Sequence, residues 1–217
     1  RHLAVLRDLV DIKSMLHAAG RELPSELQVA IESMGPTLRL FQHGDGGLAL
    51  FNGSQEEAGF KVDMVLRRAN ARRRPRLSAP QSGFQRIQAG RSLVIVDAGV
   101  PAAPGLDRCA HAGTLAMEFS VGRERVVVNC GAPGPGAAGA RWQQAVRATA
   151  AHSTLTLAET NSAALATRRR FLGPSLLHRP EMVQCRREEL EGAVLLEMQH
   201  DGYRLPYGAI HHRRLYL

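Results

Sequence analysis

Residues 108–131 read RCAHAGTLAMEFSVGRERVVVNCG. The middle of the stretch alternates in the way a strand does. Leu115, Met117 and Phe119 fall on one face, and Thr114, Ala116, Glu118 and Ser120 on the other. Val121-Gly122-Arg123-Glu124 is a tight-turn signal between two runs rich in strand formers. The reading is a β-hairpin whose Leu115, Met117 and Phe119 are buried between sheets. A hairpin brings its two ends together, so His111 and Asn129 are expected to be neighbours. A histidine at one end, and an asparagine and a cysteine at the other, make the hairpin a candidate for half of a metal or catalytic site.

Working outward, the segments after Pro80 keep the same grammar. GFQRIQAG, SLVIVDAG, ERVVVNCG, STLTLAE, EMVQCRREEL, GAVLLEMQHDG and YGAIHHRRLYL are short and are separated by glycine or proline. Such spacing predicts an antiparallel sandwich or barrel, with EELEGA as a second hairpin. The stretch APGPGAAGARW reads as a flexible loop, and WQQAVRATAA as a helical turn leading into HSTLTL. Towards the N-terminus the period changes. HLAVLRDLVDIKSMLHAA carries apolar residues at helical spacing and ends at Gly20. PSELQVAIESMGPTLRLFQ predicts a second helix, broken at Gly35-Pro36, and EEAGFKVDMVLRRA a third. QHGDGGLALFNGSQ is a turn-rich loop, and NARRRPRLSAP a solvated linker. The fold class is therefore α+β: a helical part over residues 1–75, then an antiparallel β-sandwich over residues 76–217.

The 217 residues carry a formal charge of +8, and only Lys13 and Lys61 among the basic side chains are lysines. Arginine's planar fork suits carboxylate and phosphate groups, so acidic partners are expected; a GC-rich genome would give the same arginine-, alanine- and glycine-rich composition. Nucleic acid is not expected, because aromatic residues make up only 5% of the chain and the arginine run lacks interleaved stacking platforms. No apolar stretch approaches the length of a membrane helix. Three cysteines, Cys109, Cys130 and Cys185, with no CxxC pair, argue against a disulfide framework or zinc ribbon. The start at Arg1 is read as a piece of a longer protein.

Four stretches, AHAGTLAMEFSVGRERVVVNCG, TAAHSTLTL, HDGY and YGAIHHRRLYL, together resemble the C-terminal sheet domain of the heparinase II/III family of polysaccharide lyases. The resemblance covers most of residues 25–217 and makes the helical part the end of that family's α/α toroid. It implies a structural zinc held by His111, Asn129 and His152, the last brought in by an HSTLTL strand in the same sheet. Each imidazole is then expected to give its other nitrogen to a carbonyl or carboxylate, Glu118 and Asp97 being possible partners. Three positions depart from the family pattern: Cys109 stands where the first histidine of H-x-H falls, Gly113 at the following aspartate, and Asn129 at the aspartate of D-x-G. His211 and Arg213 share a strand face and either line a sugar groove or cap a sheet edge. The activity implied is β-elimination on a uronic-acid polysaccharide, in the periplasm or cell envelope. Tyr203, Tyr207 and Tyr216 match no catalytic motif, so no catalytic residue is assigned here, and the piece itself is expected to be inactive. The other reading is a non-catalytic sugar-binding or structural sandwich.

Overall fold

A computed structural model describes residues 1–71, 74–133, 139–166 and 175–217. Three helices come first: α1 (His2–Ala18), α2 (Ser25–Leu40) and α3 (Gly59–Arg68). Their apolar faces meet in one core, where Leu6 and Val10 pack with Ile31, Leu38, Val62, Val65 and Leu66. The break expected at Gly35-Pro36 is absent, and α2 runs through both residues. Close packing explains the difference. A Cβ on Gly35 would lie 2.5 Å from the Ala71 Cβ, so only glycine lets the chain at residue 71 approach. Pro36 forfeits one intrahelical bond, and burial of this face outweighs it.

The strands then form a five-stranded antiparallel sheet in chain order: β1 (Ser78–Ala79), β2 (Phe84–Ala89), β3 (Ser92–Asp97), β4 (Met117–Val121) and β5 (Glu124–Val127). After the short helix α4 (Ala140–Ala145) comes a small pair, β6 (Ala164–Leu165) and β7 (Leu176–His178). Next are β8 (Val183–Leu190) and β9 (Ala193–His200), the single turn α5 (Arg204–Tyr207) and β10 (His211–Tyr216). These last three strands make a second sheet in the order β10-β9-β8. Both predicted hairpins are present, Val121 facing Glu124 and Leu190 facing Ala193, with Gly122 (φ 59°) and Gly192 (φ 76°) supplying the left-handed backbone that two-residue loops need.

β3 is buried on both faces, which sets the layering. Leu93 and Ile95 meet Leu40, Ala49 and Phe51 on the helical side. Val94 and Val96 meet Leu196 and Met198 of β9 on the other. Phe84 bridges Phe41 and Phe51 edge to face, at ring distances of 4.8 and 5.1 Å. The α+β class and the antiparallel sheets agree with the reading of the sequence. Leu115, Met117 and Phe119 all join the inter-sheet core, although Leu115 does so from a turn at φ 60° just before the strand.

One expected strand is missing. Residues 152–157 follow a 3₁₀ turn (Thr149–Ala151) and make only an isolated bridge, Leu157 to Thr160. Side chains claim this backbone first: Asn129 accepts the Ser153 N–H, and Arg213 donates to the Ser153 carbonyl. Of the predicted basic linker, Arg72 and Arg73 lie outside the described residues, as does 134–138 of the predicted glycine-proline loop.

Candidate functional site: a histidine pair beside a cleft

His111 sits in an irregular segment whose backbone is held at several points. Asn52 Oδ1 accepts the His111 N–H at 3.0 Å. Arg147 donates Nε and Nη2 to the Ala110 carbonyl at 3.0 and 2.8 Å. The Ala112 carbonyl takes the hydroxyls of Thr149 and Ser162. This lattice aims His111 at His152, and the two rings stand edge to face with His111 Nδ1 and His152 Nε2 3.0 Å apart.

The protons of the pair follow from its partners. His152 Nδ1 lies 2.8 Å from the Ala148 carbonyl, which can only accept, so Nδ1 carries the hydrogen. Burial lowers the pKa of His152, and burial together with His152 and Arg147 lowers that of His111 to about 3, so both rings are neutral near pH 7. His152 Nε2 therefore accepts, and His111 Nδ1–H donates. His111 Nε2 is left with its lone pair. Gly113 makes room for this arrangement: a Cβ there would stand 2.7 Å from His152 Cδ2. The family pattern's aspartate at this position is incompatible with the ring where it lies.

Asn129 is close by in the chain of contacts but belongs to a second network. Its Oδ1 accepts the Ser153 N–H at 2.9 Å, and its Nδ2 donates to Glu118 Oε1 at 3.2 Å. Glu118 is fully buried. Oε1 also accepts the N–H groups of Leu50 (2.8 Å) and Asn129 (3.1 Å), and Oε2 meets His43 Nε2 at 2.9 Å. His43 Nδ1 is 2.8 Å from the Ser120 hydroxyl. Glu118 thus serves His43 and Asn129 rather than the His111–His152 pair, and His43 is a residue the sequence reading missed. Its position in QHGDGG, 75 residues before its carboxylate partner, carries no local signal.

His111 lines a cleft of about 300 Å³ with Asn52, Phe84, Asp97, Cys109 and Thr114. Among the described residues the Asp97 carboxylate has only long contacts, to Asn52 Nδ2 at 3.5 Å and Gly99 N–H at 3.4 Å. Loss of water outweighs them and raises its carboxyl to about 7. Cys109 accepts from Arg1 Nη2 at 2.9 Å. No tyrosine lines this cleft: Tyr203 is buried with its hydroxyl on the Leu155 carbonyl, and Tyr207 bonds Thr160.

His211 and Arg213 lie elsewhere. His211 Nδ1 is 3.0 Å from His200 Nε2, and the Gly202 N–H donates to His200 Nδ1. This second pair is also neutral, burial first and then the neighbouring ring or Arg213 lowering each pKa to about 4. Arg213 Nη1 ties together the carbonyls of Leu115 (2.9 Å) and Ser153 (2.8 Å).

A zinc site takes three or four ligands, with the charge of the ion met by carboxylate or thiolate where imidazoles are few. Here two neutral imidazoles are already bonded to each other, and the third group is a carboxamide engaged on both its oxygen and its nitrogen. Among the described residues no group of three or more His, Cys, Asp and Glu side chains could hold an ion. Two imidazoles and a carboxamide, each already hydrogen-bonded, thus bring no charged ligand to the zinc that the resemblance implies.

Comparison with known proteins agrees with the architecture. Residues 71–217 match the family described as Heparinase II/III-like, C-terminal. FtsZ-localized protein C of Caulobacter vibrioides (strain NA1000 / CB15N) is 33% identical over 215 residues, which are 98% of this chain and 36% of that protein. A crystal structure of heparinase III superposes at a TM-score of 0.69 with 13% identity, over 99% of this chain and 36% of the other. Heparan sulfate lyase HepC from Pedobacter heparinus gives 0.65 at 16% identity, over 99% and 35%. The chain thus spans about a third of the length of these relatives. The match over its whole sheet region, on a fold shared with heparinase III, places the chain in the heparinase II/III-like family, with residues 71–217 as the C-terminal domain.

Proposed function

We propose that this chain is the β-sandwich module of a heparinase II/III-like protein that holds an acidic polysaccharide without cleaving it. The observation that carries this reading is the mutually bonded, buried His111–His152 pair. Its facing nitrogens bond each other, and His111, with a pKa near 3, is a poor proton acceptor at neutral pH. β-Elimination needs a base, a group that neutralises the uronate and an acid for the leaving oxygen. Cys109 replaces one histidine of the family pattern, and the chain's tyrosines are turned away from the cleft. The charge of +8, nearly all arginine, suits a polyanion. The name of the Caulobacter relative describes where that protein is found, not a lyase.

The test uses full-length protein and a panel of heparin-like, chondroitin-like and alginate-like polymers. Unsaturated uronate ends absorb in the ultraviolet, so cleavage reads directly. The expected result is binding that weakens as salt rises, with no absorbance increase. A steady increase that His111→Ala abolishes would establish the lyase reading instead.

A further inference from the structure

We propose that a second pocket, at the C-terminal end of α2, binds a phosphate-type dianion. The pocket has a volume of about 360 Å³ and shares no lining residue with the cleft beside His111. Arg39, Arg86 and Arg91 line it, with Gln42, Gln88 and Gly122.

Arg86 is the unusual member. It is 7% exposed, and among the described residues it has no carboxylate partner. Its Nη1 donates to the carbonyls of Arg39 (3.3 Å), Leu40 (3.0 Å) and Gln42 (2.8 Å), where α2 ends. Its Nη2 reaches Gln88 Oε1 at 3.3 Å. These contacts fix the guanidinium but carry no full negative charge, and the buried Nε finds no acceptor among the described residues. Burial lowers its pKa to about 10, which leaves it charged at neutral pH.

The other two arginines bring their charges to the same place. Arg39 spends its Nε on the Ala71 carbonyl at 2.9 Å, leaving its two terminal nitrogens. Arg91 is exposed, and its Nη2 packs against Gly122, where an added Cβ would stand 2.7 Å from it. Among the described residues none of the three makes an ion pair, although ten ion pairs form elsewhere. Glu118, the carboxylate behind His43, does not line the pocket and is committed to four other donors. Three like charges around one small cavity repel until an anion enters. A phosphate or phosphomonoester has close to two negative charges and three acceptor oxygens at neutral pH, which matches three guanidinium groups better than a carboxylate does.

The experiment is a thermal melt of the full chain in rising inorganic phosphate. Sodium chloride holds the ionic strength constant, and a parallel series uses sulfate. The expected result is a saturable rise of about 2–4 °C with phosphate, a similar rise with sulfate, which is also a tetrahedral dianion, and none with chloride. Arg91→Ala removes one of the three like charges, so it should raise the anion-free melt slightly while cutting the phosphate rise by at least half; Arg39→Ala should also cut the rise. His111→Ala, in the other cleft, should keep it. A phosphate effect no larger than that of chloride, or one undiminished in both arginine variants, would overturn the proposal.

Discussion

Glu118 is a buried carboxylate whose two oxygens meet three N–H groups and the His43 ring, and one of those donors is the Asn129 side chain. An aspartate at position 129 would replace that donor with a second carboxylate about a hydrogen-bond length from the first. One of the two must then hold a proton, or both pay the cost of like charges in a dry site. Asn129→Asp is therefore expected to destabilise the fold by about 2–4 kcal/mol at pH 7, with part of the loss regained at pH 5. Urea titrations at the two pH values measure it, and a variant as stable as the parent at both would refute the assignment. Neighbourhood was legible here: a hairpin joins its ends, so His111 and Asn129 belong to one region, and His152 followed from the resemblance. The partners were not legible. Glu118 was expected beside the imidazoles, but its acceptor capacity goes to His43, Leu50 and Asn129, and nothing in local spacing announces a contact spanning 75 residues. Gly113 reads as a mere departure from a pattern until the His152 ring is seen beside it.

At the scale of elements, α2 shows where local rules yield to packing. Gly-Pro is a strong break signal, yet the helix continues because residue 71 presses against Gly35. Gly35→Ala is normally favourable in a helix by about 1 kcal/mol. Here the added methyl would meet Ala71 at 2.5 Å, and the expected net effect is a loss of about 1–3 kcal/mol. Adding Ala71→Gly should restore most of it, and a double-mutant cycle by chemical denaturation reads the coupling; additive losses would contradict the contact. The strands of the two hairpins were legible because alternation and turn chemistry agree. HSTLTL was not, because a β-rich composition says nothing about side chains that take its backbone bonds. The face assignment on β4 was also only half the story. Met117 and Phe119, the apolar face, are half-buried, whereas Glu118 and Ser120 opposite are the more deeply buried residues, since that face lies under the helical layer.

For the whole molecule, the buried imidazoles set the response to acid. His111 falls from 6.5 to about 3, and His200 and His211 to about 4, while His152 is lowered too. For a depressed histidine the unfolded chain takes up the proton first, so its contribution is full above pH 6.5 and is lost as pH falls towards 4 and 3. Asp97, raised from 3.8 to about 7, acts the other way: its contribution is full below 3.8 and is lost as pH rises through 7. Four histidines outweigh one aspartate, so stability should climb from pH 4.5 to 6.5 and then flatten. Asp97→Asn should stabilise at pH 8 more than at pH 5. Denaturant midpoints across this range check both statements; a flat profile between pH 4.5 and 6.5 would show that the rings are not buried as neutral pairs.

Metal content bears most directly on the claim that this heparinase-type sandwich keeps the histidines of a metal site as a neutral, self-bonded pair. Elemental analysis of the full-length protein, purified without chelator and dialysed against micromolar zinc, gives the answer. A neutral, self-bonded pair should leave the protein with well under about a tenth of a zinc ion per chain and no change in melting temperature on adding zinc. Close to one ion per chain, lost in His111→Ala and in His152→Ala, would contradict it.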